Sequence, residues 1–124
     1  MNTKAAIGLL YNDKSVLGII CHNDGYVQGV GKTLLKHYNT IEDVHLLIEL
    51  GTLTELKDTI ETTQVSINNR SHRYVKAMLF QSVDDFERYY EIADYFYLFD
   101  SNCWIYKHSM AENKPYESLE FALR

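Results

Sequence analysis

Apolar and polar positions fall along the chain in two rhythms. The run AAIGLLYNDKSVLGIICH, from Ala5 to His22, is two nearly continuous apolar stretches around Asn12-Asp13-Lys14-Ser15. Such a cluster of turn formers between apolar runs predicts a β-hairpin. From Val30 the spacing becomes helical, with Val30, Leu34 and Tyr38 on one stripe and Leu35 widening it. Thr40 then predicts an N-cap, with Glu42 and Asp43 in the first turn and Asp43 at the capping-box position. Ile41, Val44, Leu47 and Ile48 form that helix's apolar face, and Gly51 is its stop.

A short amphipathic stretch over 54–61 follows, with Leu53, Leu56 and Ile60 on one side. In TTQVSINNRSHRYVKAMLF, Val65 and Ile67 alternate with polar residues and positions 74–80 are densely apolar. This predicts two strands around Asn68-Asn69, the second with a composition suited to burial on both faces. Ser82 with Asp85 is another capping signature, ahead of a helix carried by Val83, Phe86, Tyr90 and Ala93. YFYLFD and CWIYKH flank Ser101-Asn102 as a second hairpin, and the tail YESLEFALR after Pro115 predicts a short closing helix. Hairpins separated by helices make one α+β domain over residues 1–124, with an antiparallel sheet and helices packed mainly on one face. A doubly wound parallel sheet would need strands alternating with single helices, and that rhythm is missing.

Composition narrows the function. At 124 residues the chain has room for one domain that buries roughly two-thirds of its unfolded surface without disulfides or metals. The net charge of −5 disfavours generic binding to a phosphate backbone. Cys21 and Cys103 lie inside apolar runs without zinc or CxxC spacing, so both read as buried thiols in a reducing compartment. No signal peptide is visible and nothing approaches the length of a membrane span, so no membrane partner is expected. Ten tyrosines are the unusual feature. Most should fill the core, while any on the surface would suit recognition and leave room for a homo-oligomer, although no heptad seam is present.

The segment DGYVQGVGKT, Asp24 to Thr33, ends like a P-loop. A P-loop requires a glycine, four further residues and then the GK pair, between a strand and a helix, so that backbone N–H groups surround phosphate oxygens. The context is right but the spacing is not: Gly25 comes one residue early and Tyr26 takes the glycine's place. Two readings stay open. Gly25, Gly29 and Gly31 can simply allow a tight strand-to-helix turn, or the turn's amides with Lys32 and Thr33 can hold a phosphate or carboxylate without hydrolysis. His22 and Asp24 flank one position at the strand end and lack the further ligands a metal needs. The basic run Asn69-Arg70-Ser71-His72-Arg73 reads as a solvated turn or an anion contact, and Asp84, Asp85, Glu87, Glu91 and Asp94 as a solvated acidic helix face or a decoy for nucleic acid. No catalytic set, metal or cofactor is expected.

CHNDGYVQGVGKTLLKHY, LLIELGTLTEL and YFYLFDSNCWIY together resemble a family of small uncharacterised proteins of bacteriophages and other mobile elements. Its signature is a His-x-Asp-Gly-Tyr strand end, a Gly-x-Gly turn, a His-Tyr helix end and a Leu-Gly-x-Leu-x-x-Leu segment. The likeness covers about residues 16–56 and 95–106, and Arg70-Ser71-His72-Arg73 stands where an Arg-Asp-Arg-Gly-Glu-like run would be expected. It implies a phage origin, action in the host cytoplasm, and His22, Asp24, Gly25, Tyr26, Gly29 and Gly31 as the shared feature. The resulting expectation is a non-catalytic binding protein that antagonises a host process, bacterial defence above all. It would engage a host protein or sequester a small anionic, nucleotide-like ligand beside residues 24–33, with Tyr26 stacking on a base, Lys32 meeting charge, and Arg70 and Arg73 closing the site. The alternatives are a small nucleotide-acting enzyme using His22 and Asp24, the acidic decoy, or a structural phage component.

Overall fold

The computed structural model describes residues 2–66, 76–110 and 114–124. The first hairpin forms as β1 (Ala5–Leu10) and β2 (Val16–Cys21), paired in register from Ala5 opposite Cys21 to Leu10 opposite Val16. A wide helical turn over Val27–Gly31 runs into α1 (Lys32–His37), and α2 follows (Ile41–Glu49). The middle of the chain supplies β3 (Leu53–Glu55), β4 (Gln64–Val65), β5 (Met78–Phe80) and α3 (Val83–Tyr89). The second hairpin is β6 (Tyr95–Asp100) with β7 (Cys103–His108), and the chain ends in β8 (Glu117–Ser118) and α4 (Leu119–Ala122).

Local signals account for most boundaries. The Thr40 hydroxyl accepts the Asp43 N–H and the Ser82 hydroxyl accepts the Asp85 N–H, each satisfying an amide that the helix start leaves open. Gly51, at φ 85°, ends α2 in the left-handed region that glycine tolerates. Ser101 and Asn102 both have positive φ, the two-residue hairpin turn whose twist matches its strands.

The α+β class holds, with one sheet in the order β4-β3-β2-β1-β6-β7-β8 and β5 beside β2. It is mostly antiparallel, yet its centre is not: β1 and β6 lie parallel, Ala5 opposite Tyr95 through Leu9 opposite Phe99, and β2 meets β3 in parallel at Cys21 and Leu53. The two hairpins are therefore joined by a parallel seam. The reason lies in β1, whose Ala5, Ala6, Ile7 and Leu9 are all buried on alternating faces, so both its edges and both its faces need cover.

Sheet alternation divides the core. On one face Ala5, Ile7, Leu9, Ile19, Cys21, Tyr97, Phe99 and Trp104 pack under Val30, Leu34, Val44, Leu47, Ile48 and Leu119 from α1, α2, α4 and the wide turn. On the other, Ala6, Val16, Ile20, Phe96 and Leu98 meet Phe86 and Tyr90 at α3. Helices thus cover mainly one face. Gly8 and Gly18 stand opposite each other, and a Cβ on either would press into the Phe86 ring, at 3.2 and 2.7 Å respectively. Tyr90 adds a hydroxyl bond of 3.0 Å to the Gly18 carbonyl.

Several expectations need correction. The strands β4 and β5 exist but do not pair with each other, since β4 pairs β3 and β5 pairs β2; Asn68 and Asn69 lie outside the described residues. Met78 and Leu79 are exposed and only Phe80 is buried, because β5 is held by β2 on one edge alone among the described strands. The helix after Ser82 ends at Tyr89, where Tyr90 leaves helical geometry, so Glu91 and Asp94 lie beyond it. Pro115 precedes strand β8 rather than the helix start. Cys103 is exposed, as the first residue after a tight turn, while Cys21 is buried and its thiol is pushed up to about 11 by that burial. Of the tyrosines, Tyr38, Tyr90 and Tyr97 are core, and Tyr26 is 43% exposed.

Thr40→Ala should cost about 1 kcal/mol through loss of the cap. Thr52→Val should cost nothing or stabilise slightly, because the buried Thr52 hydroxyl has no partner among the described residues. Urea denaturation of the two variants beside the parent protein checks both.

Candidate functional site

The glycine turn grows out of the end of β2. His22 donates its backbone N–H to the Leu53 carbonyl at 3.0 Å, and Asn23 Nδ2 donates to the Thr54 carbonyl at 2.8 Å, so the chain leaves the sheet beside β3. Asp24 has φ 58°, a left-handed conformation that aspartate adopts more readily than most residues other than glycine. It reverses the chain onto the start of β1, where Gly25 N–H donates to the Thr3 carbonyl at 2.9 Å and the Gly25 carbonyl accepts the Tyr97 hydroxyl at 2.7 Å.

The turn's amides have protein acceptors. Gly29 N–H donates to the Tyr26 carbonyl at 2.9 Å, Val30 N–H to the Asp24 carbonyl at 2.8 Å, and Gly31 N–H to the Tyr26 carbonyl at 3.4 Å. Lys32 N–H donates to the Val27 and Gly29 carbonyls, closing the wide turn. The amides of residues 25 and 29–32 are therefore not arranged around an open anion site, and charge on a ligand here would have to be met by side chains. The glycines answer to space. A Cβ at Gly25 would sit 2.7 Å from the Lys4 carbonyl carbon, one at Gly29 would collide with the Asp24 carbonyl oxygen, and one at Gly31 would press on Leu119 and the Tyr97 ring at 3.1 and 3.2 Å.

Around this turn the predicted residues are dispersed. Asp24 and Lys32 are exposed, Thr33 is half-buried, and Arg70 and Arg73 lie outside the described residues, as does the rest of the basic run through position 73. His22 is half-buried, and burial first, then the nearby Lys4 charge, lowers its pKa from the ordinary 6.5. No hydrogen bond joins His22 to Asp24 among the described residues. Among them, too, no three His, Cys, Asp or Glu side chains cluster closely enough to hold a metal. Of the acidic residues, Asp85 pairs with Arg88, Glu87 with Lys107 and the Tyr116 hydroxyl, and Asp94 with the Lys4 N–H.

A cleft of about 480 Å³ opens beside the turn, lined by Asn2, Thr3, Tyr26, Asp94, Tyr95 and His108. Only Tyr26 belongs to the ligand-binding set expected from the sequence, which assigns Asp94 to an acidic helix instead. The other walls come from the ends of β1, β6 and β7, brought to one edge by the parallel seam. Tyr95 and His108 are cross-strand partners, and their rings meet edge to face with centroids 4.6 Å apart. His108 Nδ1 accepts the Met110 N–H at 3.0 Å, so a neutral ring carries its proton on Nε2. Asp94 is held by three backbone bonds: Oδ2 accepts the Lys4 N–H at 2.9 Å, its own N–H donates to the Lys4 carbonyl at 2.8 Å, and its carbonyl accepts the Ser109 N–H at 2.9 Å. Asp94 and Tyr95 adjoin in the sequence, but His108 and Thr3 reach them only through strand pairing, so spacing along the chain carried no signal for the set.

Gly29→Ala should abolish cooperative unfolding or lower the transition markedly, whereas Lys32→Ala should leave it within about 0.5 kcal/mol, as a substitution at an exposed site does. Thermal melts of the two variants check this. Because the folded pKa of His22 lies below its unfolded value, its neutral form stabilises the fold above about pH 6.5, and that contribution is lost as pH falls from there. His22→Gln should therefore show a shallower loss of stability between pH 7 and 5 than the parent in parallel denaturation curves. No protein-family model, no curated protein and no solved structure matches the chain, so the chemistry of the turn and the cleft carries the functional reading.

Proposed function

We propose that the protein is a non-catalytic binding protein of phage type that acts in the host cytoplasm. It antagonises a host process, most directly bacterial defence, by sequestering a small nucleotide-like anionic ligand. The observation that supports this reading is the cleft beside Tyr26, a site of about 480 Å³ walled by aromatic and hydrogen-bonding side chains from the glycine turn, the segment before β1 and the ends of β6 and β7. Its volume falls in the range typical of small-molecule sites, roughly 300–1,000 Å³. The phage origin, the host setting and the defence role rest on the sequence resemblance. An acid/base pair of His22 and Asp24 gains no support from a geometry in which the two share no hydrogen bond. No helix of the described residues is long and apolar enough to cross a membrane.

A second reading, capture of a host protein, is favoured by a separate surface. Leu79 is 66% exposed and Met78 38% exposed on β5, beside a groove of about 440 Å³ lined by Leu79, Phe80, Gln81, Asp85, Arg88 and Tyr89. An apolar strip along a strand edge is a surface onto which another polypeptide can pair.

Native mass spectrometry of the protein purified from a bacterial host separates the two. A retained small molecule that is lost in Tyr26→Ala supports sequestration. A co-purifying host protein lost in Leu79→Lys, with no small molecule present, supports capture, and retention of neither overturns the proposal.

A further inference from the structure

We infer that the Tyr26–Tyr95–His108 cleft takes an amino-bearing purine base, with Asp94 accepting from the exocyclic amine and the anionic part of the ligand pointing outward. This rests on the sequestration reading and specifies which part of the ligand the cleft recognises.

Three features of the walls select the base rather than the phosphate. First, among the described residues no Lys or Arg lines the cleft, and the one carboxylate they place there repels an anion. Second, Asp94 is positioned as an acceptor. Its Oδ2 is engaged by the Lys4 N–H, which leaves Oδ1 without a hydrogen-bond partner among the described residues. A carboxylate oxygen held beside aromatic walls favours a ligand that brings N–H donors. Third, with His108 Nδ1 accepting the Met110 N–H, its Nε2 is a donor on the same wall, a complement to a ring nitrogen or carbonyl next to an amine. Adenine and guanine present such a donor and acceptor on one edge, as cytosine does, but their fused rings offer Tyr26 and Tyr95 the larger stacking area, while uracil and inorganic phosphate have no amine. Tyr26 and Tyr95 supply flat apolar area for stacking, and a base stacks on an aromatic side chain without sequence preference.

Rigidity supports the assignment as well. Asp94, Tyr95 and His108 are strand-end residues whose backbones are bonded to Lys4 and across the β6–β7 pair, so the three groups are held before any ligand arrives.

Isothermal titration of the protein with adenosine, guanosine, cytidine, uridine and inorganic phosphate tests the inference. At least one purine nucleoside should bind once per chain, cytidine more weakly than that purine, and uridine and phosphate at least about tenfold more weakly. Asp94→Asn is the discriminating variant: its amide oxygen can still accept the Lys4 N–H, but an NH₂ replaces Oδ1 and opposes the ligand's amine. It should keep the parent's melting temperature and weaken the purine about 10- to 100-fold. Tyr95→Leu should also weaken binding, and Lys32→Ala should leave it unchanged. Failure of both purines to bind, or binding untouched by Asp94→Asn and Tyr95→Leu, overturns the inference. A molecule retained from the host and kept by Asp94→Asn would overturn the cleft assignment while sequestration stands. Purine binding that Asp94→Asn weakens, with nothing retained from the host, would support the cleft and remove sequestration.

Discussion

The hydroxyl of Tyr97 joins the sheet to the glycine turn, and the positions of both depend on it. It donates to the Gly25 carbonyl at 2.7 Å from a fully buried ring, while Gly31 packs on the edge of that ring. Leaving this hydroxyl unpaired in the core would cost about 1–3 kcal/mol. Burial also pushes its pKa far up, so it stays a donor throughout the physiological range. Tyr97 lies opposite Ile7 in the parallel β1–β6 seam. A slip of one residue in that seam would turn the ring to the other face of the sheet, so the bond and the register require each other.

Other long-range anchors build the frame outward from this point. Phe86 sits over the paired Gly8 and Gly18, which brings α3 close to the sheet on the face away from the turn. On the near face, Trp104 Nε1 donates to the Tyr38 carbonyl at 2.8 Å and the Tyr38 hydroxyl donates to the Lys57 carbonyl at 2.8 Å, linking β7, the end of α1 and the loop after β3. The C-terminal segment is tied down through Tyr116, which donates to Glu87 at 2.9 Å beside the Lys107 ammonium. The Trp104, Tyr38 and Tyr116 anchors each carry a polar tip on a largely apolar side chain, as Tyr90 and Tyr97 do, so four of the ten tyrosines hold the frame this way.

The frame changes the meaning of GVGKT. In a phosphate loop the backbone amides must remain open, yet here a wide helical turn and the β1 edge use those of residues 25 and 29–32. The glycines are present because carbonyls, Leu119 and Tyr97 come too close for a side chain. What the turn contributes to the neighbouring cleft is the placement of one exposed ring, Tyr26. The remaining chemistry comes from Asp94, Tyr95 and His108, held by the same strands that pair around β1.

Much of the local structure was legible in the sequence. Both hairpins, the Thr40 and Ser82 caps, the Gly51 stop and the helical stripe Val30-Leu34-Tyr38 follow from residues within a few positions of one another, where turn chemistry and apolar period act directly. The glycine turn was visible too, between the strand before it and the helix after it, but the crowding by Lys4, Tyr97 and Leu119 that requires Gly25 and Gly31 comes from distant segments. The parallel seam, the separate partners of β4 and β5, and the exposure of Cys103 were not legible, because an apolar strand states that it needs neighbours without naming them. The cleft was hidden for the same reason. By itself the sequence determined the two hairpins, the main helices and the α+β class through short-range physics. Only the tertiary structure decided which strand ends meet, and so which side chains share a cleft, because one edge of β1 is covered by the adjacent β2 but the other by β6, about ninety residues away.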